Sequence, residues 1–169
     1  MASCSAAILL GYLTVQRLAE LWWARRNEAL LLAAGGVEYG RAHFPLMVLL
    51  HAAWLVGLYV FGLGRPVVVP FIELFVLLQI ARFWVLRTLG QRWTVRIIVV
   101  PGERLRREGP YRWMRHPNYA VVAGEIAVVP LALGLPIYAL VFSILNAAVL
   151  ALRIRAENAA LGALDVPRA

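Results

Sequence analysis

The chain has 169 residues, 62% of them hydrophobic, and carries a net charge of +8 in which every basic residue is arginine. Mean hydropathy is +0.74, and the apolar share lies well above the roughly 45–50% of soluble domains, which excludes an ordinary water-soluble fold. The arginines sit between apolar runs, so the charge reads as juxtamembrane cations facing an anionic leaflet and not as a nucleic-acid surface.

Cys4 is the sole cysteine, which excludes an intrachain disulfide and a cysteine metal cluster. His43, His51 and His116 lack metal-ligand spacing, so no metal is expected. No basic n-region or convincing cleavage site marks the first apolar stretch, which is expected to stay as a membrane span.

In chain order, the first span is predicted at about 6–23, with Arg17 and Glu20 spaced to pair on one helix face. Residues 27–43 are expected to form a short amphipathic helix and a turn at Gly35-Gly36. The second span, about 44–61, contains His51, read as a hydrogen-bonded interior histidine. The third, about 67–86, carries Gln79 and Arg82 on one face. Glu73 is an intramembrane carboxylate without an evident partner, and such groups are functional suspects. Residues 87–118 form a basic loop, in which Val95–Val100 is either a short strand or an interfacial segment. Spans at about 119–133 and 137–153 close the chain as a helical hairpin around Gly134-Leu-Pro136.

The loop arginines cluster in 25–43, 87–118 and 153–169, and only Arg65 lies in a loop on the other side. Five spans put those three segments on one face, so the positive-inside rule predicts an outer N-terminus and a cytoplasmic C-terminus. The fold expected is an all-α integral membrane domain spanning 1–169, with about five transmembrane helices and a C-terminal cytoplasmic cofactor-binding region.

The most polar stretch, 103–119, runs directly into an apolar segment. Pro117 suits the first turn of a helix, because its missing N–H is unpaired there in any case. His116 is thereby set at a helix start, where free N–H groups and the positive dipole end favour an anion. Gly109-Pro110 reads as a turn bringing Tyr111 back towards His116. On the fifth helix, Ser143, Asn146, Leu150, Arg153 and Glu157 step by three or four residues and share one face. Polar groups are costly in lipid, so this stripe is expected to face the bundle interior. Asn118 and Glu125 share a face of the fourth helix. Glu125 either lines a pocket or bridges helices.

Gly109-Pro-Tyr111 followed by Arg115-His-Pro-Asn-Tyr119 resembles the cofactor motif of the isoprenylcysteine carboxyl methyltransferase family. Arg153-Ile-Arg-Ala-Glu157-Asn158 is similar to that family's Arg-Ile-x-x-Glu-Glu segment. The resemblance covers roughly the last third of the chain and implies an integral-membrane enzyme that uses S-adenosylmethionine. It implies that His116, Pro117, Asn118, Tyr111 and Tyr119 hold the amino-acid end of the cofactor. By the same resemblance the backbone of Glu103, Arg104, Leu105 and Arg106 lies along the adenosine, and Glu157 contacts the ammonium group or ribose. Arg153 and Glu157 are the catalytic candidates, with Arg153 orienting the acceptor oxygen. Asn146 is either an acceptor contact or, with Ser143, a helix–helix contact, and Glu125 is a further candidate acceptor contact. Asn158 departs from the family's second glutamate, which leaves the acceptor open.

The absence of lysine and the abundance of alanine suggest a GC-rich bacterial genome and so a bacterial inner membrane. In that setting the expected acceptor is a lipophilic polyketide-derived phenol or pyrone arriving from the bilayer, with possible coupling to a polyketide synthase. Prenylcysteine carboxyl methylation and phospholipid N-methylation are enzymatic alternatives; an arginine beside the nucleophile disfavours a protonated amine. A structural or transport subunit is the non-enzymatic one.

Overall fold

The computed structural model describes residues 2–102 and 106–163. Glu103, Arg104 and Leu105 of the expected cofactor segment lie outside the described residues. Five helices account for most of the rest: α1 (Ala2–Ala33), α2 (Phe44–Gly62), α3 (Val69–Leu89), α4 (Pro117–Ala132) and α5 (Pro136–Ala163). Two three-residue strands, β1 (Val37–Tyr39) and β2 (Ile97–Val99), pair antiparallel with Val37 opposite Val99. The expected strand or interfacial segment at 95–100 is thus a strand, and it adds a small ribbon to the all-helical expectation.

Two helices run longer than their periodicity suggested. α1 continues to Ala33 without a break, where a second short helix was expected. No glycine or proline interrupts 23–34, so the helix projects beyond its apolar part and ends at Gly35, whose φ of 85° suits only glycine comfortably. α5 likewise passes Arg153 and reaches Ala163.

Among the described residues, three helices are long and apolar enough to cross a membrane: Arg41–Gly62, Val69–Arg92 and Pro136–Gly162. α4 is a shorter apolar helix, and α1 carries Arg17, Glu20, Arg25, Arg26 and Glu28. Large apolar side chains point outwards, among them Ile8, Val15, Ile80 and Ile137. Such a surface suits an integral membrane protein, because water penalises exposed apolar area of that extent.

The main core joins α1, α2, α3 and α4 through Leu10, Leu13, Trp54, Leu58, Phe75, Ile126, Val129 and Leu133. Pro130 inside α4 has no N–H to give the Ile126 carbonyl. The Trp54 indole N–H donates to that carbonyl at 3.3 Å instead, so one helix repairs another's gap.

Deeper charges are paired between helices. Arg82 of α3 donates to both oxygens of Glu20 on α1 and, at 2.7 Å, to Glu125 on α4. Arg17 bridges Glu20 and Glu125, and Gln79 donates to Glu125 at 2.8 Å. Two arginines and two glutamates thus neutralise each other where isolated charges would be expensive. Glu73 is exposed on α3 and makes no ion pair among the described residues. His51 bonds the Met47 carbonyl through Nδ1 at 2.9 Å, as expected of an interior histidine.

Candidate active site

At one end of the bundle, the C-terminal ends of α1, α3 and α5 meet the start of α4, β2 and the 106–116 segment around a cavity of about 510 Å³. That volume falls within the roughly 300–1,000 Å³ of small-molecule sites. Arg106, Tyr111, His116, Asn118, Tyr119, Arg153 and Glu157 all line it. Residues expected from two separate motifs therefore share one wall.

Local chemistry sets each side chain. Gly109 adopts φ 55° and opens a 3-10 turn over Gly109–Arg112, which delivers Tyr111 to the cavity. Pro117 opens α4 with His116 at its N-cap. Tyr119 follows within the first turn, its ring stacked on His116 with centroids 5.1 Å apart.

Tyr119 is the junction of the site. Its hydroxyl donates to Glu157 Oε2 and accepts from Arg153 Nε at 2.8 Å. His116 Nδ1 lies 3.5 Å from the same Glu157 oxygen. Arg153 is buried and also donates through Nη2 to the Val95 carbonyl at 2.6 Å and through Nη1 to Met47 Sδ at 3.3 Å. A guanidinium has five N–H donors, so three contacts fix its plane and leave donors for an acceptor. Burial, followed by the Glu157 charge, raises the Tyr111 pKa above its usual value, so Tyr111 remains a neutral phenol at physiological pH.

Among the described residues, three that line the cavity carry a buried polar atom without a partner: Trp93 Nε1, His116 Nε2 and Asn118 Oδ1. Buried polar atoms are normally satisfied, so His116 Nε2 and Asn118 Oδ1, both at the start of α4, have hydrogen-bonding capacity left over. A ligand bearing both a carboxylate and an ammonium group matches a wall that offers arginines and histidine beside a glutamate and an amide oxygen.

Asn146 and Glu125 are not among the cavity-lining residues. Glu125 is fully buried in the ion cluster, so of its two sequence readings the described contacts are those of a bridge between helices. Asn146 is 1% exposed and its Oδ1 has no partner among the described residues. Sequence reasoning did not reach Met47 or the Val95 carbonyl. A backbone oxygen has no sequence signature, and Met47 is indistinguishable from its apolar neighbours.

Residues 71–163 match the Isoprenylcysteine carboxyl methyltransferase (ICMT) family. The chain is 39% identical over 165 residues to an uncharacterized protein, YpbQ, of Bacillus subtilis, covering 91% of this chain and 95% of that one. It is also 26% identical over 160 residues to an uncharacterized protein of Haemophilus influenzae, covering 82% and 84%. No solved structure matches. With both halves of the expected motif on one cavity wall and more than half of the chain inside the matched region, the protein belongs to the isoprenylcysteine carboxyl methyltransferase family of membrane methyltransferases.

Proposed function

We propose that this protein binds S-adenosylmethionine, the methyl donor of its family, in the cavity between α4, α5 and β2, and methylates an oxygen of a lipophilic acceptor. The observation that carries this reading is the pair of unpartnered buried atoms, His116 Nε2 and Asn118 Oδ1, beside the Glu157–Tyr119–Arg153 chain of hydrogen bonds. His116, Asn118, Tyr111 and Tyr119 would hold the amino-acid end of the cofactor, and Glu157 its ammonium group or ribose. Arg106, the described residue of the expected adenosine segment, lines the cavity and would face the adenosine. When bound, this cofactor supplies a methyl group on a positively charged sulfur that leaves without further activation.

The protein's own work is then positioning and charge. In-line transfer needs the acceptor oxygen held near 3 Å from the methyl carbon and away from water. Arg153 sits one helical turn from Glu157, deeper along α5, bonded to the Tyr119 hydroxyl with its guanidinium carbon 5.6 Å from the ring centroid. Its remaining donors would orient the acceptor and stabilise the oxygen's negative charge. A carboxylate acceptor arrives ionised, whereas a phenol, with a pKa near 10, must lose its proton. The same guanidinium would repel a protonated amine, which weighs against N-methylation. Asn158 in place of the family's second glutamate leaves the acceptor open, and the bacterial setting suggested by the composition favours a lipid-like acceptor over a prenylated protein. We assign the acceptor to the polyketide-derived alkyl phenols or alkylpyrones, reaching the site from the bilayer, with a polyketide synthase as the coupled source.

Five spans, an outer N-terminus and a cavity facing the cytoplasm of a bacterial inner membrane complete the reading. α4 is short and α1 charged, but the ion cluster leaves both able to lie inside a bundle. The test is transfer of labelled methyl from S-adenosylmethionine to an alkylresorcinol, an alkylpyrone and a prenylcysteine by detergent-purified protein. Turnover of the first two above the third is the expected result. Turnover of prenylcysteine alone would move the acceptor assignment, and no binding of S-adenosylhomocysteine would remove the cofactor site.

A further inference from the structure

Arg153 is connected to a carboxylate that it does not touch. Glu28 lies on the part of α1 that continues beyond its apolar stretch. Its Oε1 accepts the N–H groups of Val95 at 3.2 Å and Arg96 at 3.1 Å. The Arg96 N–H and the Val95 carbonyl belong to one peptide group, and that carbonyl accepts from Arg153 Nη2 at 2.6 Å. A carboxylate thus pulls on the N–H end of this peptide while a guanidinium pulls on its oxygen. Hydrogen bonds in such a series polarise and strengthen one another.

The geometry around Glu28 holds this series in place. Arg96 Nε lies 3.7 Å from Glu28 Oε2, and Arg96 Nη1 bonds both oxygens of Glu38 on β1 at 3.2 Å. One residue before Glu28, the buried Asn27 donates to the carbonyls of Gly90 and Trp93. The segment from Gly90 to Arg96, which forms one side of the cavity, is therefore fastened to α1 along its length.

We propose that Glu28 is a positioning residue for methyl transfer: acting through the Val95–Arg96 peptide, it fixes the Arg153 guanidinium in the plane that meets Tyr119. This rests on the methyl-transfer reading of the site. Glu28 lies outside the matched residues 71–163, so the assignment comes from the contacts across the bundle. The alternative is that Glu28 only braces the loop, in which case its loss would act on folding and on every ligand alike.

The test compares Glu28→Ala and Glu28→Gln, each alone and combined with Arg153→Lys, in detergent. Three quantities are measured: kcat and KM for the best acceptor, affinity for S-adenosylhomocysteine, and the nitrogen NMR signals of the Arg153 guanidinium, assigned by their loss in Arg153→Lys. Glu28→Ala is expected to lower kcat on the order of 10- to 100-fold, as for a misplaced catalytic group, with KM and cofactor affinity within about threefold, well under that catalytic loss. Glu28→Gln keeps an oxygen for both N–H groups and should recover most of the rate. In the Arg153→Lys background Glu28→Ala should add little, because two residues acting as one unit are not additive. The Arg153 Nη signals, resolved by hindered rotation in the parent protein, should average in Glu28→Ala. Equal kcat losses with and without Arg153, or unchanged Arg153 signals in folded Glu28→Ala, overturn the proposal. If Glu28→Ala does not fold, Glu28→Asp, one methylene shorter, must disturb the same signals, and undisturbed signals there overturn it equally. A parent protein inactive on every acceptor would sink the methyl-transfer reading, while the guanidinium signals would still decide whether Glu28 orients Arg153.

Discussion

Tyr119 shows how one hydroxyl can join two motifs. As donor it reaches Glu157, as acceptor it receives Arg153, and its ring covers His116. Tyr119→Phe keeps the ring and removes both hydrogen bonds. It is expected to weaken S-adenosylhomocysteine binding by about 1–3 kcal/mol, the range for hydrogen bonds to charged groups. His116→Ala should cost a similar amount. Calorimetry that gives parental affinity for both variants would remove the proposed cofactor contacts. At Arg153 binding and catalysis should separate. Arg153→Lys keeps the charge but loses the planar fork, and Arg153→Ala loses both. Each should lower kcat by about 10²–10³, the usual cost of a transition-state donor, with a much smaller change in cofactor affinity. Parental turnover in Arg153→Ala would reduce Arg153 to a structural residue.

Between elements, stability rests on a few contacts that replace missing or costly groups. Trp54→Phe leaves the Ile126 carbonyl without its donor, and should lower stability by about 1–3 kcal/mol. Adding Pro130→Ala supplies an N–H to the same carbonyl and should restore part of that loss. Thermal unfolding in detergent of the single and double variants decides this. Additive losses would mean that Trp54 acts through packing alone. The ion cluster predicts a larger effect. Arg82→Met leaves Glu20 and Glu125 short of a shared partner and should cost about 3–5 kcal/mol. A second change, Glu20→Gln, removes one of the two stranded charges and should recover part of the loss. A neutral Arg82→Met would show that Arg17 alone satisfies both carboxylates.

For the whole molecule, orientation is the prediction with the widest consequence. In a Cys4→Ala background, Arg65→Cys should react with an impermeant thiol reagent outside intact cells, whereas Arg112→Cys and Ala159→Cys should react only after lysis. The opposite pattern would place the cavity away from the cytoplasmic supply of its proposed cofactor. The apolar runs, the helical hairpin at Gly134, the helix start at His116-Pro117 and the polar face carrying Arg153 and Glu157 were legible in the amino-acid order. Each of these is encoded by near neighbours: hydropathy over a turn or two, a proline at a helix start, or a polar residue every third or fourth position. The grouping of His116, Tyr119, Arg153 and Glu157 into one site was instead implied by the family resemblance.

What the sequence alone determined was therefore the five main apolar helices and the polar face of α5. Only the tertiary structure decided how far α1 continues and which partners the buried charges take beyond the expected Arg17–Glu20 pair. Glu125 had two open readings until packing set it beside Arg17 and Arg82, residues remote from it in sequence. Glu28 gave no local signal either, because its partners are backbone N–H groups and backbone atoms are the same in every residue. Short-range order follows from the side chains themselves, whereas long-range pairing depends on which groups the packed helices bring within hydrogen-bond reach.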